Sequence, residues 1–410
     1  MLNRLWLGLF LSAAIAACAR WLGGDPGVFA AIVASLFAMA RLSVSVMVLL
    51  FGTLTLWLGL LAIAERAQLV QALARALAPL FARLMPEVPA GHPALGLITL
   101  NMAANMLGLD NAATPIGLKA MRELQSLNPS RDTASNAQIM FLVLNASSLT
   151  LLPVSIFMYR AQQGAPDPTL VFLPILLATS ASTLVGLFSV ALVQRLPLGD
   201  ARSLLGMAGG LLVYALALAG LASLSAAALA RLSDLAGNLL LFGVVVLFLL
   251  VGAWRKVPVY EAFIDGARQG FDVARDLLPY LVAMLCAVGA LRASGALDML
   301  LHLLRWAAQA LGWDTRFVAA LPTALVKPFS GSAARAMLIE TMHHYGVDSF
   351  PALTAATMQG STETTFYVLA VYFGAVGVRR ARHAVACALL ADLAGVLASI
   401  AVCYWFFGSR

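Results

Sequence analysis

Long apolar runs separated by single charges dominate the chain, at residues 5–19, 42–64, 137–158, 170–193, 204–221, 235–253, 277–291, 352–378 and 384–406. A helix needs roughly 20 apolar residues to cross a bilayer, so these runs predict about nine crossings. Two intervals, 93–125 and 317–342, break the pattern: apolar arms too short to span flank a polar centre that carries glycine or proline. Such arms suit re-entrant helical hairpins, whose exposed backbone at the tip is tolerated only inside protein or along a watery cavity. An amphipathic segment precedes each interval. The first sets Leu69, Leu73, Leu77, Leu80 and Leu84 on one face and Arg66, Arg75 and Arg83 on others, as an interfacial helix does.

The order helix, amphipathic segment, hairpin, helix, helix occurs twice, over 42–193 and over 277–406. "NAATPIGLKAM" from Asn111 lies against "SAARAMLIETM" from Ser332, and "NASSLTLLPVSIFMY" from Asn145 against "QGSTETTFYVLAVYF" from Gln359. An odd number of crossings from the start of one unit to the start of the other gives the two opposite orientations in the membrane. Inverted repeats with broken helices are the architecture of secondary transporters, in which one part rocks about a central site. The expected fold is thus an all-α polytopic membrane protein with two inverted repeats, each with a re-entrant hairpin, plus interfacial helices.

Composition agrees: 61% of the 410 residues are hydrophobic and 11% are charged, more apolar surface than one soluble core hides. The net charge of +7 does not point to nucleic acid, because the basic residues stand singly or in pairs between apolar runs. Arg66, Arg75, Arg83, Arg255, Lys256, Arg268, Arg275, Arg379, Arg380 and Arg382 fall on one side of the predicted topology, with fewer charges opposite. The positive-inside rule then puts the amino end in the cytoplasm and the carboxyl end outside. The first run, ending in "AAIAACAR", fits either a retained helix or a cleaved signal peptide. Cys18, Cys286, Cys387 and Cys403 lie in apolar runs without metal-ligand spacing and read as packing residues.

"ANMLGLDNAATPIGLKAM" with "LNASSLTLLP" resembles spore maturation protein A, and "KPFSGSAARAMLIE", "TMQGSTETTFYVLAVYFGAVGVRRARHA" and "LLADLAG" resemble spore maturation protein B. The chain looks like a fusion of the two, 1–197 and 198–410, joined around 195–205. The resemblance implies the nucleoside-recognition or gate domain in both halves, similar to membrane segments of concentrative nucleoside transporters and ferrous-iron permeases. It also implies the bacterial cytoplasmic (inner) membrane. It supplies no solute.

Ionisable residues held within a bilayer normally face a cavity and have a function. Here they are Asp110, Lys119, Lys327, Arg335, Glu340 and Glu363. "QGSTET", from Gln359 to Thr364, would interrupt its helix, freeing backbone groups that join Ser361, Thr362 and Thr364 in holding a cation or polar solute. Glu363 would carry charge for sodium or take up a proton. Asn101 and Asn105 share one face of a hairpin arm, with Asp110, Asn111 and Thr114 at or across its tip. Asn145, Ser147 and Ser148 occupy the place in the first repeat that "QGSTET" occupies in the second. Ser330, Gly331 and Ser332 open a helix, a place for an anionic group that Lys327 and Arg335 reinforce.

Each of these has a structural alternative. Asparagine and serine also join transmembrane helices without touching a ligand, Lys119 can pair with Glu123, and Arg335 with Glu340. "FSGSA" lacks the strand and helix of a nucleophile elbow, there is no phosphate loop, and the histidines are scattered, so no enzyme is expected. The expected function is secondary transport of a small polar or anionic solute, nucleoside-like or carboxylate-like, coupled to a proton or sodium ion and without other cofactors. The alternative is a non-transporting scaffold or regulator of the envelope or of spore maturation. Expected partners are the lipid bilayer and a small polar solute, with homo-oligomer formation open.

Overall fold

The computed structural model describes residues 2–107, 110–147, 149–196 and 201–408. Among them the chain is helical, with one isolated parallel bridge between Thr133 and Arg380. The amino-terminal part runs α1 (Leu2–Leu22), α2 (Val28–Arg66), α3 (Leu69–Leu84), α4 (Pro93–Met106), α5 (Asp110–Ser126), α6 (Asn136–Ser147), α7 (Val154–Gln162) and α8 (Phe172–Gln194). Two helices follow, α9 (Ala201–Ala222) and α10 (Ala226–Trp254). The remainder is α11 (Val259–Ala293), α12 (Ala296–Ala310), α13 (Leu321–Val326), α14 (Gly331–Tyr345), α15 (Phe350–Ser361), α16 (Thr365–Ala375) and α17 (Ala384–Phe407).

Among the described residues five segments are long and apolar enough to cross a membrane: Val28–Arg66, Pro168–Gln194, Ala226–Trp254, Val259–Ala293 and Ala384–Phe407. Phe37, Val48, Leu239, Phe242 and Leu250 lie exposed on two of them. Surface of that kind is a liability in water and is matched by lipid. The chain is a multi-pass membrane protein.

Contacts divide it into two compact units. The first is Met1–Ala67, Ser155–Pro168 and Val245–Gln359; the second is Gln68–Val154, Thr169–Val244 and Gly360–Arg410. These are not the halves 1–197 and 198–410, since each unit draws on both. The chain changes unit five times, among them at the start of α7 and near the end of α15.

In the first unit α11 lies along α2. Gly266 and Gly270, one turn apart, allow the backbones to touch: a Cβ at Gly270 would lie 2.7 Å from Thr55 Cα. Small residues at such spacing are the usual means of close helix approach in lipid. In the second unit α17 packs on α8, and the α4–α5 pair packs with α3. The buried side of α3 is Val70, Ala74, Phe81 and Leu84, while Leu80 is exposed. The expected stripe through Leu80 is therefore turned by about one residue. In a membrane an apolar stripe can face lipid as readily as protein, so periodicity does not choose between them.

The intervals 93–125 and 317–342 are helix pairs, α4 with α5 and α13 with α14, the latter entered through a 3-10 turn, Arg316–Ala320. Where the pattern gives continuous runs over 137–158 and 352–378, there are instead two broken helices, α6/α7 and α15/α16. The first break precedes Pro153, which has no N–H to continue a helix. The second is at 362–364, where Thr364 has φ −87° and ψ 87°.

Candidate functional site at two broken helices

An unbroken helix would have the Glu363 amide donate to the Gln359 carbonyl. Both groups are instead answered elsewhere. Within the second unit the Glu363 N–H donates to the Ala146 carbonyl, at the end of α6, at 2.8 Å. Within the first unit Lys327 Nζ donates to the Gln359 carbonyl, also at 2.8 Å. The α4–α5 pair similarly touches the first break, through Leu151 N–H to Met106 O at 3.2 Å. Broken helical bonds are thus replaced by hydrogen bonds, as buried backbone requires.

Asn101 and Asn145 are buried in the second unit, and Asn105 half-buried. Asn105 Nδ2 donates to Asn145 Oδ1 at 3.0 Å, and Asn101 Nδ2 to the Ala113 carbonyl, across the helix pair, at 2.7 Å. The Tyr372 hydroxyl joins them, 3.4 Å from Asn145 Oδ1 and 3.5 Å from Asn101 Nδ2. Asn101 Oδ1 is buried with no hydrogen-bond partner among the described residues. Thr114 is half-buried on α5. Ser147 is buried and its carbonyl accepts from Thr183 Oγ1 at 3.4 Å. The side chains of Asp110 and Asn111, and all of Ser148, lie outside the described residues.

In the same unit Ser361, Thr362 and Thr364 are buried and Glu363 is half-buried. The Glu363 carboxylate makes no hydrogen bond or ion pair among the described residues. In the first unit Ser330 caps α14, its Oγ accepting from the Ala333 amide at 3.2 Å and lying 3.1 Å from Ser332 Oγ, with Gly331 between. Lys327 is buried and donates to the break. Gln359 Oε1 is buried without a hydrogen-bond partner among the described residues.

Arg335 does not pair with Glu340. Its Nε donates to the Gly331 carbonyl at 3.2 Å and Nη1 to the Tyr159 hydroxyl at 3.4 Å. Glu340 pairs with Arg292 of α11, in a bidentate arrangement that includes Nη2 to Oε2 at 2.9 Å. Positions five apart on a helix diverge, so Glu340 meets a neighbouring helix instead. The pair lines a cleft of about 270 Å³ with Ser35, Met39, His343 and His344. Elsewhere in this unit Arg160 is fully buried and donates to Asp348 Oδ1 at 2.9 Å and to the Asp167, Pro168 and Val347 carbonyls.

Three of these groups escaped the sequence reading. Tyr372 gives no signal in an apolar run. Arg292 pairs with a residue far along the chain. Asp392, in α17, accepts from Thr365 Oγ1 at 2.7 Å and is 6% exposed. As a carboxylate inside an apolar run it carried the same signal as Glu363.

Residues 47–162 and 274–379 match the family model described as Gate: Nucleoside recognition. Each stretch contains one helix pair and one broken helix. Spore maturation protein B of Bacillus subtilis (strain 168) is 48% identical over 161 residues, 39% of this chain and 89% of that protein. Spore maturation protein A of the same organism is 35% identical over 182 residues, 44% of this chain and 90% of that protein. No solved structure matches. With more than half of its length matched and both relatives covered nearly end to end, the chain belongs to the nucleoside-recognition gate family, as a homologue of spore maturation proteins A and B.

Proposed function

We propose that the protein is a secondary transporter of a small polar or anionic solute, nucleoside-like or carboxylate-like, working by alternating access between its two gate repeats and driven by a proton or sodium ion. The observation that carries this reading is the exchange of hydrogen bonds at the second break, where Ala146 and Lys327 answer the groups that a continuous helix would pair. A chain that only needed to span would keep its helix; a discontinuous one presents backbone and polar side chains within the membrane. In the second unit the buried amide oxygen of Asn101 adds an acceptor for a solute's N–H or O–H groups. In this reading there are about nine crossings, the two helix pairs are re-entrant, and the chain is a fusion of its halves in the bacterial cytoplasmic membrane. Its amino end is inside and its carboxyl end outside.

Reconstituted protein should exchange labelled uridine or succinate across the vesicle membrane. Glu363→Gln should abolish exchange without lowering abundance. Absence of exchange with nucleosides and carboxylates alike, under proton and sodium gradients, overturns the reading.

The second reading is a non-transporting scaffold. It draws support from Asn101, Asn105, Asn145 and Tyr372, which bond to one another and to backbone as helix-joining groups do. A Glu363→Gln protein that disappears from the membrane would favour it.

A further inference from the structure

Asp392 sits within a candidate spanning helix, in the second unit, and is 6% exposed. A carboxylate there costs several kcal/mol by common scales unless its charge is compensated, so its surroundings decide what it does. They are rich in oxygen. Thr365, the first residue of α16, donates to Asp392 Oδ2 at 2.7 Å. Ser182 of α8 donates to the Ala391 carbonyl at 2.9 Å. Gly395, one turn beyond Asp392, is a point of close approach: a Cβ there would lie 2.7 Å from Thr362 Cγ2, 3.2 Å from Ser361 Oγ and 3.3 Å from Ser182 Cβ. Ser182, Ser361 and Thr365 are each fully buried.

The helix break brings these groups together. α15 ends at Ser361, whose hydroxyl lies against Gly395, and a helix end leaves its last carbonyls without intrahelical amides. A hydroxyl that donates to a carbonyl or carboxylate keeps its lone pairs. One carboxylate, several hydroxyls and the end of an interrupted helix are the donor set of a hard monovalent cation, and no nitrogen ligand is among them.

We infer that Asp392, with Thr365, Ser361 and Ser182, forms a sodium-ion site between α8, α17 and the α15/α16 break. Sodium neutralises the buried carboxylate and ties the start of α16 to α17. This deepens the transport reading by placing a coupling ion on Asp392, beside the role given there to Glu363, and it rests on that reading for the coupling alone. Ion binding stands or falls separately.

The test is thermal unfolding of the purified full chain in detergent, without solute, with NaCl replaced by KCl or choline chloride at constant ionic strength. A ligand of the folded state raises its melting temperature by mass action. The wild type is expected to show a saturable rise with sodium alone, and Asp392→Asn to lose it. Thr365→Val removes one hydrogen bond to the carboxylate and should move the sodium midpoint up by about tenfold. If Asp392→Asn does not fold, the Thr365→Val and Ser182→Ala midpoints decide, and unchanged midpoints overturn the site. Equal melting in the three salts overturns it, as does a sodium response that survives in Asp392→Asn. A response that follows pH between 5.5 and 8 and ignores sodium overturns it too, in favour of a proton on Asp392. Transport failing while the sodium shift persists would sink the transport reading alone.

Discussion

Lys327 Nζ donates to the backbone carbonyl of Gln359 at 2.8 Å, so a side chain of the α13–α14 pair closes the end of a broken helix. The lysine is 6% exposed, and its place in the sequence, before "PFSGSAA", suggested an anion at the hairpin tip. It caps a helix end, the position that the helix dipole favours for a cation.

Lys327→Met should therefore destabilise the protein by about 1.5–3 kcal/mol, the range for losing a hydrogen bond from a charged donor. Reversible unfolding in mixed micelles measures this. A variant as stable as wild type would mean that the contact contributes nothing net.

Arg292 and Glu340 have side chains 16% and 6% exposed, so removing the arginine strands the glutamate. Arg292→Ala should cost about 3–5 kcal/mol, whereas Arg292→Leu with Glu340→Leu should recover most of that loss. If the double variant is as unstable as the single one, the charges act separately.

A Cβ at Gly117 would collide with the Tyr372 ring and lie 2.9 Å from Asn101 Nδ2. Gly117→Ala is expected to cost about 1–3 kcal/mol by overpacking. Tyr372→Phe in the same chain should relieve part of it, because the hydroxyl is the first atom met; strict additivity in a double-mutant cycle would refute the contact.

His383, before α17, has its pKa lowered, by burial first and then by Arg382. Gln194 Nε2 lies 3.2 Å from His383 Nε2, an arrangement that suits a neutral, accepting ring. The unfolded chain thus binds a proton more readily than the folded one. The contribution of this group is complete above the unfolded value of about 6.5 and is lost as pH falls through the lower folded value. Melting temperature should drop between pH 7.5 and pH 5, and His383→Gln should shrink the drop. An undiminished drop would assign it to other groups.

Much of this was legible in the sequence because a bilayer makes simple demands. Apolar length gave the helices, and the twofold recurrence of "NAATPIGLKAM" and "SAARAMLIETM" anticipated two helix pairs, now within the two stretches matched by the gate family. The run 137–158 misled because its polar "NASS" is short and its Pro153 lies late, so hydropathy averages over a break that backbone geometry does not. Asparagines could be placed on one helix face, but their partners Ala113 and Tyr372 lie on other elements.

The sequence by itself determined the solvent, the helices and the repeat, since hydrophobic length and local periodicity follow from residue order alone. Tertiary structure decided which oxygen meets which donor. Glu340 chose Arg292 over Arg335, Lys327 closed the end at Gln359, and Asp392 came to lie against Thr365, because a hydrogen bond needs its two atoms within about 3 Å and residue order does not fix that distance between helices.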